Sequence, residues 1–146
     1  MGNNSWIGGG CKFFVGNAGI KIGNNVAIAF NNTFITNNHN YKSDKLLPFD
    51  EMNFSYPIEV GNNVWIGLGC IVLCGVKIGD GAVIAAGSVL TKSVPECAIV
   101  AGNPAKIVGW RDKDVFNKLV ENGDFLKIGT EPKFTVVNKF KPFLAE

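Results

Sequence analysis

Residues 60–90 read VGNNVWIGLGCIVLCGVKIGDGAVIAAGSVL, and the spacing of their aliphatic side chains decides the fold. Val60, Ile66, Val72, Ile78, Ile84 and Leu90 recur at every sixth position. A second series stands two residues before each of them: Ile58, Val64, Cys70, Val76, Ala82 and Ser88, all small or slim. Gly61, Gly67 and Gly79 follow members of the first series. A period of six matches neither a helix nor a strand with two faces. It matches a triangular coil whose sides are each a short strand plus a turn, and hexapeptide periodicity is a signature of parallel β-helices. The first-series residue points into the prism and stacks on its equivalents one coil away, at a strand spacing of about 4.8 Å. Each such Val or Ile contributes about 1.5–3 kcal/mol on burial.

The same phrase occurs elsewhere. MGNNSWIG at 1–8 shares six of eight residues with VGNNVWIG at 60–67, and IGNNVAIA at 22–29 and IGDGAVIA at 78–85 are variants of it. The repeats are therefore one side of four successive coils. Met1, Ile7 and Phe13 begin the first, Ile22, Ile28 and Phe34 the second, Val60, Ile66 and Val72 the third, and Ile78, Ile84 and Leu90 the fourth. Chain is inserted between coils near 15–20 and, at greater length, at 36–57. Met1 falls in an aliphatic slot, so the chain is expected to begin inside the prism without an N-terminal cap. Terminal repeats normally carry a polar outer face, which makes a first coil bearing Trp6 unusual.

After Leu90 the period is expected to stop, leaving VPECAIVAGNPAKIVGWR (94–111) as an extended strap. Val115, Phe116, Leu119 and Val120 then form one helical stripe, with Asp112 or Asp114 to cap its start and Gly123 to end it. This helix is expected to close the last coil. The tail from Asp124 to Glu146, with Phe125, Phe134, Phe140 and Phe143 among lysines, is expected to pack back on the prism or on a neighbouring subunit. The reading is an all-β chain: a prism over 1–110 with a long loop at 36–57, and a C-terminal helix and tail over 111–146.

Composition agrees with one small domain of 146 residues. Charged residues make up 18%, below the roughly 25% typical of soluble domains. The net charge of +2 gives no field for nucleic acid or an anionic membrane. Cys11, Cys70, Cys74 and Cys97 have no metal-ligand spacing and read as buried free thiols, Cys70 and Cys74 within the repeat. No apolar run reaches the ~18 residues of a membrane span, and no charged-then-apolar leader is present. Trp6 stands where a myristoylation signal needs Ser or Thr. A cytoplasmic protein without a metal is expected.

The chemistry-bearing residues gather in the 36–57 insertion, TNNHNYKSDKLLPFDEMNFSYP. Loops longer than about 12–15 residues in a compact domain are usually functional or disordered. This one holds the only histidine, His39, together with Asp44, Asp50 and Glu51. Spacing alone leaves His39 between an incidental loop residue and a catalytic one.

IGNNVAIAFNNTFITNNH, the loop, and YPIEVGNNVWIGLGCIVLCGVKIGDGAVIAAGSVLTKSVPECAIVAGNPAKIV together resemble the hexapeptide-repeat acyltransferases, across roughly residues 20–109. The groups most alike are the sugar O-acetyltransferases and the xenobiotic acetyltransferases. The hexads alone would give only the fold. The loop histidine, the following PIEVGNNVWIG, and the GSVLTK and AGNPAK stretches are the more specific marks. The resemblance implies a left-handed β-helix, against the usual right-handed crossover preference, and a homotrimer with active sites between subunits. It implies that His39 is the general base that takes the proton of an attacking hydroxyl, a role typically contributing ~10²–10⁴-fold. A neutral imidazole suits that role at cytosolic pH. Asp50 and Glu51 are candidates to orient its ring. Asn17, Asn37 or a backbone N–H could donate to the oxyanion. For acetyl-CoA as co-substrate, the resemblance places Trp65 beside the pantetheine groove, although Trp65 could equally pack a corner as Trp6 does. It places the backbone of Leu68 and Ala86 on the pantetheine amides, and Thr91, Lys92 and Lys106 around the phosphates. Relatives often carry Arg where Lys106 stands; the lysine keeps the positive charge but cannot grip a phosphate with two parallel N–H groups as a guanidinium does. Gly109 replaces a second basic residue of some relatives, for which Arg111 could substitute.

The implied function is acetyl-CoA-dependent O-acetylation of a sugar hydroxyl, in bacterial surface polysaccharide synthesis. The alternatives are acetylation of an antibiotic hydroxyl, kept open by Pro48–Phe49 in the loop, or a non-catalytic structural β-helix. A single histidine excludes a three-histidine zinc site within the chain. An ice-binding solenoid needs an outward rank of Thr or Ser that these coils lack.

Overall fold

The computed structural model describes residues 1–127, and its strands wind as expected from the hexads. The first coil holds β1 (Trp6–Ile7) and β2 (Lys12–Phe14), and the second holds β3 (Ile20–Ile22), β4 (Ala27–Ile28) and β5 (Thr33–Ile35). A hairpin of β6 (Asn37–His39) and β7 (Asn53–Ser55) leaves the prism here. The third coil holds β8 (Ile58–Val60), β9 (Trp65–Ile66) and β10 (Ile71–Val72), and the fourth β11 (Lys77–Ile78), β12 (Val83–Ile84) and β13 (Val89–Leu90). Beyond them lie β14 (Ala98–Gly102), β15 (Ala105–Trp110) and helix α1 (Lys113–Asn122).

Three parallel sheets form the prism sides. Side one is β3-β8-β11, side two is β1-β4-β9-β12-β14 with β15 added antiparallel, and side three is β2-β5-β10-β13. Register follows the hexads: Ile28 pairs with Ile66 and Ile66 with Ile84, while Phe34 pairs with Val72 and Val72 with Leu90. Both series of the 60–90 stretch are buried, from Ile58 through Leu90. The slim series also hides polar groups that are fully bonded. Asn32, fully buried, accepts the Cys70 N–H at 2.7 Å and donates to the Ala29 carbonyl at 2.7 Å, so one amide ties the second coil to the third. Ser88 Oγ donates to the Ala85 carbonyl at 2.6 Å.

The corner between sides one and two carries a column of left-handed residues. Asn4, Asn25, Asn63 and Gly81 have φ of 50°, 55°, 57° and 69°. Asparagine tolerates this region and its amide links coils: Asn4 Nδ2 donates to Asn25 Oδ1 and Asn25 Nδ2 to Asn63 Oδ1, each at 2.7 Å. The ladder ends at Gly81 because the Phe116 ring sits there. A Cβ on Gly81 would lie 2.6 Å from that ring.

Several expectations are corrected. The period does not stop at Leu90. Val94 bridges Ile78, β14 pairs with β12, and Val94 and Val100 are buried, so a fifth coil begins and is then turned back by the β14–β15 hairpin. The shortened step from Leu90 to Val94 hid this continuation. Helix α1 does form, with Asp112 accepting the Val115 N–H and Gly123 closing it at φ 70°. It does not close the last coil by burying its stripe. Val115, Leu119 and Val120 are exposed and Phe116 alone of the four is half-buried, because the helix runs beside the corner. By Leu126 the chain is back at the first coil, where the Leu126 carbonyl accepts from Asn4 Nδ2 at 2.8 Å. Phe134, Phe140 and Phe143 lie outside the described residues. In the first coil Met1 and Phe13 are exposed, with Phe13 stacked on Phe34 at 5.1 Å. Cys70 and Cys97 are buried, but Cys11 and Cys74 are only half-buried. Among the described residues no helix is long and apolar enough to cross a membrane.

Candidate active site

Thr36, fully buried, is where the excursion leaves the prism. Its Oγ1 accepts the Gly16 N–H at 2.7 Å and its carbonyl accepts the Tyr56 N–H at 2.8 Å, so both ends of the excursion are pinned to one residue. From there Asn37 pairs with Ser55, Asn38 with Phe54 and His39 with Asn53. His39 thus stands on a strand of a short antiparallel ladder rather than on a free loop. Its ring lies parallel on Phe49, 4.0 Å between centroids at 11°. Its ring nitrogens make no hydrogen bond among the described residues.

Asp50 and Glu51 do not orient that ring within the chain. The Asp50 carboxylate accepts from Asn40 Nδ2 at 2.7 Å and from the Met52 N–H at 2.9 Å. The Met52 amide above all, then Ser43 and Asn40, hold its carboxyl below the ordinary range against an opposing desolvation. Asp50 is a clasp across the loop. Glu51 is exposed and bonds to nothing in the described residues. Asn17 is also exposed, and Asn37 is taken into the β6–β7 ladder.

His39 lines a cavity of about 210 Å³ with Tyr41, Lys42, Phe54, Tyr56 and Cys74. Cys74 stands at the corner after side three, two residues past the inward Val72, and Lys92 holds the same place two residues past Leu90. The Leu73 N–H donates to the Leu90 carbonyl at 3.1 Å, which sets Thr91 and Lys92 directly over this corner. Tyr56 is not singled out from the sequence, and Cys74 reads there only as a buried thiol. The register could have found Cys74, since position 74 lies in neither inward series.

Leu68 and Ala86 are on the other edge of side three, at the corner where side two turns into it, and Trp65 is on the outer face of side two just before that corner. The Gly69 N–H donates to the Phe30 carbonyl and the Gly87 N–H to the Leu68 carbonyl, so Phe30, Leu68 and Ala86 form one column. Trp65 and Leu68 are each 51% exposed. The N–H groups of Leu68 and Ala86 take no part in the bonds between coils. A Cβ on Gly69 or Gly87 would meet nothing within 4 Å, so the corner is open to the outside at both levels. Lys106 pairs with Ala101 near the end of β14, above the same corner, and is exposed. Neither Lys92 nor Lys106 meets a carboxylate among the described residues. Arg111 does not take the place left by Gly109: its Nε donates to the Gly81 carbonyl at 2.7 Å, at the corner between sides one and two. A larger groove of about 840 Å³ also follows that corner, past Gly23, Gly61 and Gly79, and contains none of the candidate residues. Among the described residues no cluster of three His, Cys, Asp or Glu could hold a metal.

The candidate residues fall into two groups. His39, Thr91 and Lys92 lie on one edge of side three; Leu68, Ala86 and Lys106 lie at the other, with Trp65 beside it on side two. Unbonded N–H groups in a column with an exposed cation above them suit an extended, amide-bearing chain ending in an anion. An imidazole whose nitrogens bond to nothing among the described residues suits proton transfer.

Residues 57–92 match the family model described as bacterial transferase hexapeptide (six repeats). The galactoside O-acetyltransferase of Escherichia coli K12 is 41% identical over 102 residues, covering 68% of this chain and 49% of that protein. The solved structure of a galactoside acetyltransferase in complex with coenzyme A superposes with a TM-score of 0.61 at 32% identity, covering 78% of this chain and 66% of the other. That of a polySia-specific acetyltransferase superposes at 0.63 with 32% identity, covering 76% and 50%. The chain spans about half the length of the curated relatives it matches.

Proposed function

We propose, from the premise that this chain belongs to the hexapeptide-repeat acyltransferases, that it transfers an acetyl group from acetyl-CoA to a sugar hydroxyl. The setting proposed is the cytoplasm, in the building of a bacterial surface polysaccharide. The observation that carries the reading is the pair of half-sites on the two edges of side three. They cannot close on each other within one chain, because the sheet lies between them. They meet when copies stand side by side, one chain's histidine edge against the next chain's Leu68–Ala86 edge. A homotrimer of left-handed coils provides three such meetings.

In this reading the Leu68 and Ala86 amides bond the pantetheine arm, Trp65 flanks it, and Thr91, Lys92 and Lys106 hold the phosphates. Acetyl-CoA supplies a thioester carbonyl open to attack. His39 takes the proton of the acceptor hydroxyl as its oxygen attacks, and returns a proton to the departing thiolate. The ring is preoriented by Phe49 rather than by a carboxylate of its own chain. Tyr41, Phe54 and Tyr56 offer aromatic faces to the acceptor, and the polySia-specific relative supports a saccharide chain as its source. A second acceptor class, an antibiotic hydroxyl, is favoured by the apolar loop tip, where Leu46, Leu47 and Phe49 are exposed.

The test is to mix the protein with acetyl-CoA and a panel of saccharides and hydroxylated antibiotics and follow free thiol. Release with a saccharide supports the reading. Release with none, together with no binding of CoA, returns the chain to a structural β-helix.

A further inference from the structure

The cavity beside His39 holds a charge that nothing in the chain answers. Lys42 lines it, and among the described residues no Asp or Glu does. The Lys42 ammonium makes no ion pair among the described residues. The Tyr41 ring centroid is 5.9 Å from it, at the far limit of a cation–π contact. Asp50, whose carboxylate reaches the lining residue Asn40, is already committed to Asn40 Nδ2 at 2.7 Å and to the Met52 N–H at 2.9 Å. The rest of the wall is largely aromatic, with exposed rings of Tyr41, Phe54 and Tyr56. At about 210 Å³ the cavity is smaller than the about 300–1,000 Å³ of drug-sized ligand sites, so it takes one sugar unit and leaves the rest of a longer acceptor outside.

We infer that the acceptor presents a carboxylate-bearing sugar to this cavity and that Lys42 selects it. The inference rests on the proposed function, which brings the acceptor hydroxyl to His39. A neutral sugar offers the ammonium only hydroxyl oxygens. A carboxylate offers a charge-assisted bond, shorter and roughly twice as strong. The aromatic rings cover the C–H faces of the sugar, and the two tyrosines add hydroxyls for its polar edge. One ammonium matches one carboxylate. A phosphate ester carries about −1.5 to −2 charges at neutral pH and would stay partly unmatched, since Lys45 and, one coil above Cys74, Lys92 do not line the cavity. The carboxylate takes no part in bond making. The bond from acceptor oxygen to acetyl carbon forms, the C–S bond breaks, and the hydroxyl proton passes through His39 to the thiolate.

Matched acceptors test this. Methyl glucuronide is set against methyl glucoside, and methyl galacturonide against methyl galactoside, with glucose 6-phosphate as the phosphate arm. Saturation-transfer NMR reads acceptor binding at millimolar concentration with CoA present. Thiol release reads turnover with acetyl-CoA, and calorimetry reads CoA affinity. The proteins are the unaltered chain, Lys42→Met, Lys42→Arg and Lys42→Glu; Lys42 is exposed, so its variants should melt with the parent. The unaltered protein should take the acidic member of each pair better, and added salt should narrow that preference. Lys42→Met should lower the acidic-to-neutral ratio by about 5-fold or more, between the scale of an exposed ion pair and that of a hydrogen bond to a charged group. Lys42→Arg should keep the preference, and Lys42→Glu should reverse it. CoA affinity should stay that of the parent; a loss in Lys42→Met would assign the ammonium to the cofactor and overturn the inference. Preference for the neutral members or the phosphate, an unchanged ratio in Lys42→Met, or CoA binding with no acidic sugar bound would refute the selection by Lys42 while the use of CoA stands. If the unaltered protein binds no CoA, both fall.

Discussion

Replacing His39 by Ala separates catalysis from folding because the structure assigns the side chain so little to hold. Its ring is exposed, makes no hydrogen bond among the described residues, and contacts one partner, Phe49. An aromatic pair is worth about 0.5–1.5 kcal/mol, and exposure puts this one at the lower end. A loss of that size moves the melting midpoint of a chain this long by about 4 °C or less. Removal of a positioned base should instead lower turnover by ~10²–10⁴-fold, or about 2.7–5.4 kcal/mol of transition-state stabilisation. The two effects differ several-fold in free energy, so one variant measured both ways suffices. Thermal melts, acetyl-CoA affinity and kcat/KM on the acceptor found by the panel are the assays. Phe49→Ala is the control: it removes the same stacked pair and should cost similar stability, but it should retain far more turnover because the imidazole remains. Wild-type turnover in His39→Ala, or an equal loss in both variants, would refute the role argued for His39.

Light scattering should find a trimer at micromolar concentration, and a stable monomer would leave the two half-sites unjoined. Lys92→Ala and Lys106→Ala should each weaken CoA more than pantetheine, and equal loss for both ligands would remove these residues from the phosphate site. Gly81→Asn keeps a residue type that the Asn4, Asn25 and Asn63 positions accept at the same φ, but it fills the Phe116 seat. Hydrogen exchange should then rise over residues 113–126 with the coils still protected, and protection throughout would show that Phe116 does not anchor the helix. Burial pushes the Cys70 and Cys97 thiols up, with Glu96 adding to the effect at Cys97. Their folded state holds its protons more tightly than the unfolded chain. Stability from them is therefore complete below the unfolded thiol value of about 8.5 and is lost as pH rises beyond it. Denaturant midpoints should fall above a pH of about 8.5, and a flat profile would contradict this. Thiol reagents should reach Cys11 and Cys74 before Cys70 and Cys97.

What the sequence makes legible follows from what a hexad constrains. Val60 to Leu90 face inward, where a wrong residue leaves a cavity or an unbonded polar group, so every sixth position records the packing. The fifth coil escaped this reading because Pro95 and Glu96 follow a short step from Leu90 to Val94, although the inward pairing of Val94 with Ile78 persists. Outward positions carry no such record. Trp6, Phe30 and Trp65 look alike along the chain, yet only the stacking of coils sets Phe30 beneath Leu68 and braces it with Trp6. The same holds for Asp50, whose place beside His39 in the loop suggested an orienting carboxylate. A carboxylate bonds to whichever donors the turn presents, and here the turn presents Met52 and Asn40. The sequence could propose the histidine but not the ring that packs on it, because that ring is Phe49, ten residues away across a loop whose closure the sequence does not describe. The half-sites were illegible for a related reason. Resemblance names residues along one chain, whereas the edge each occupies on side three depends on counting corners. That count puts His39 and Leu68 on opposite edges of side three, so the proposed function needs a second copy to bring them together.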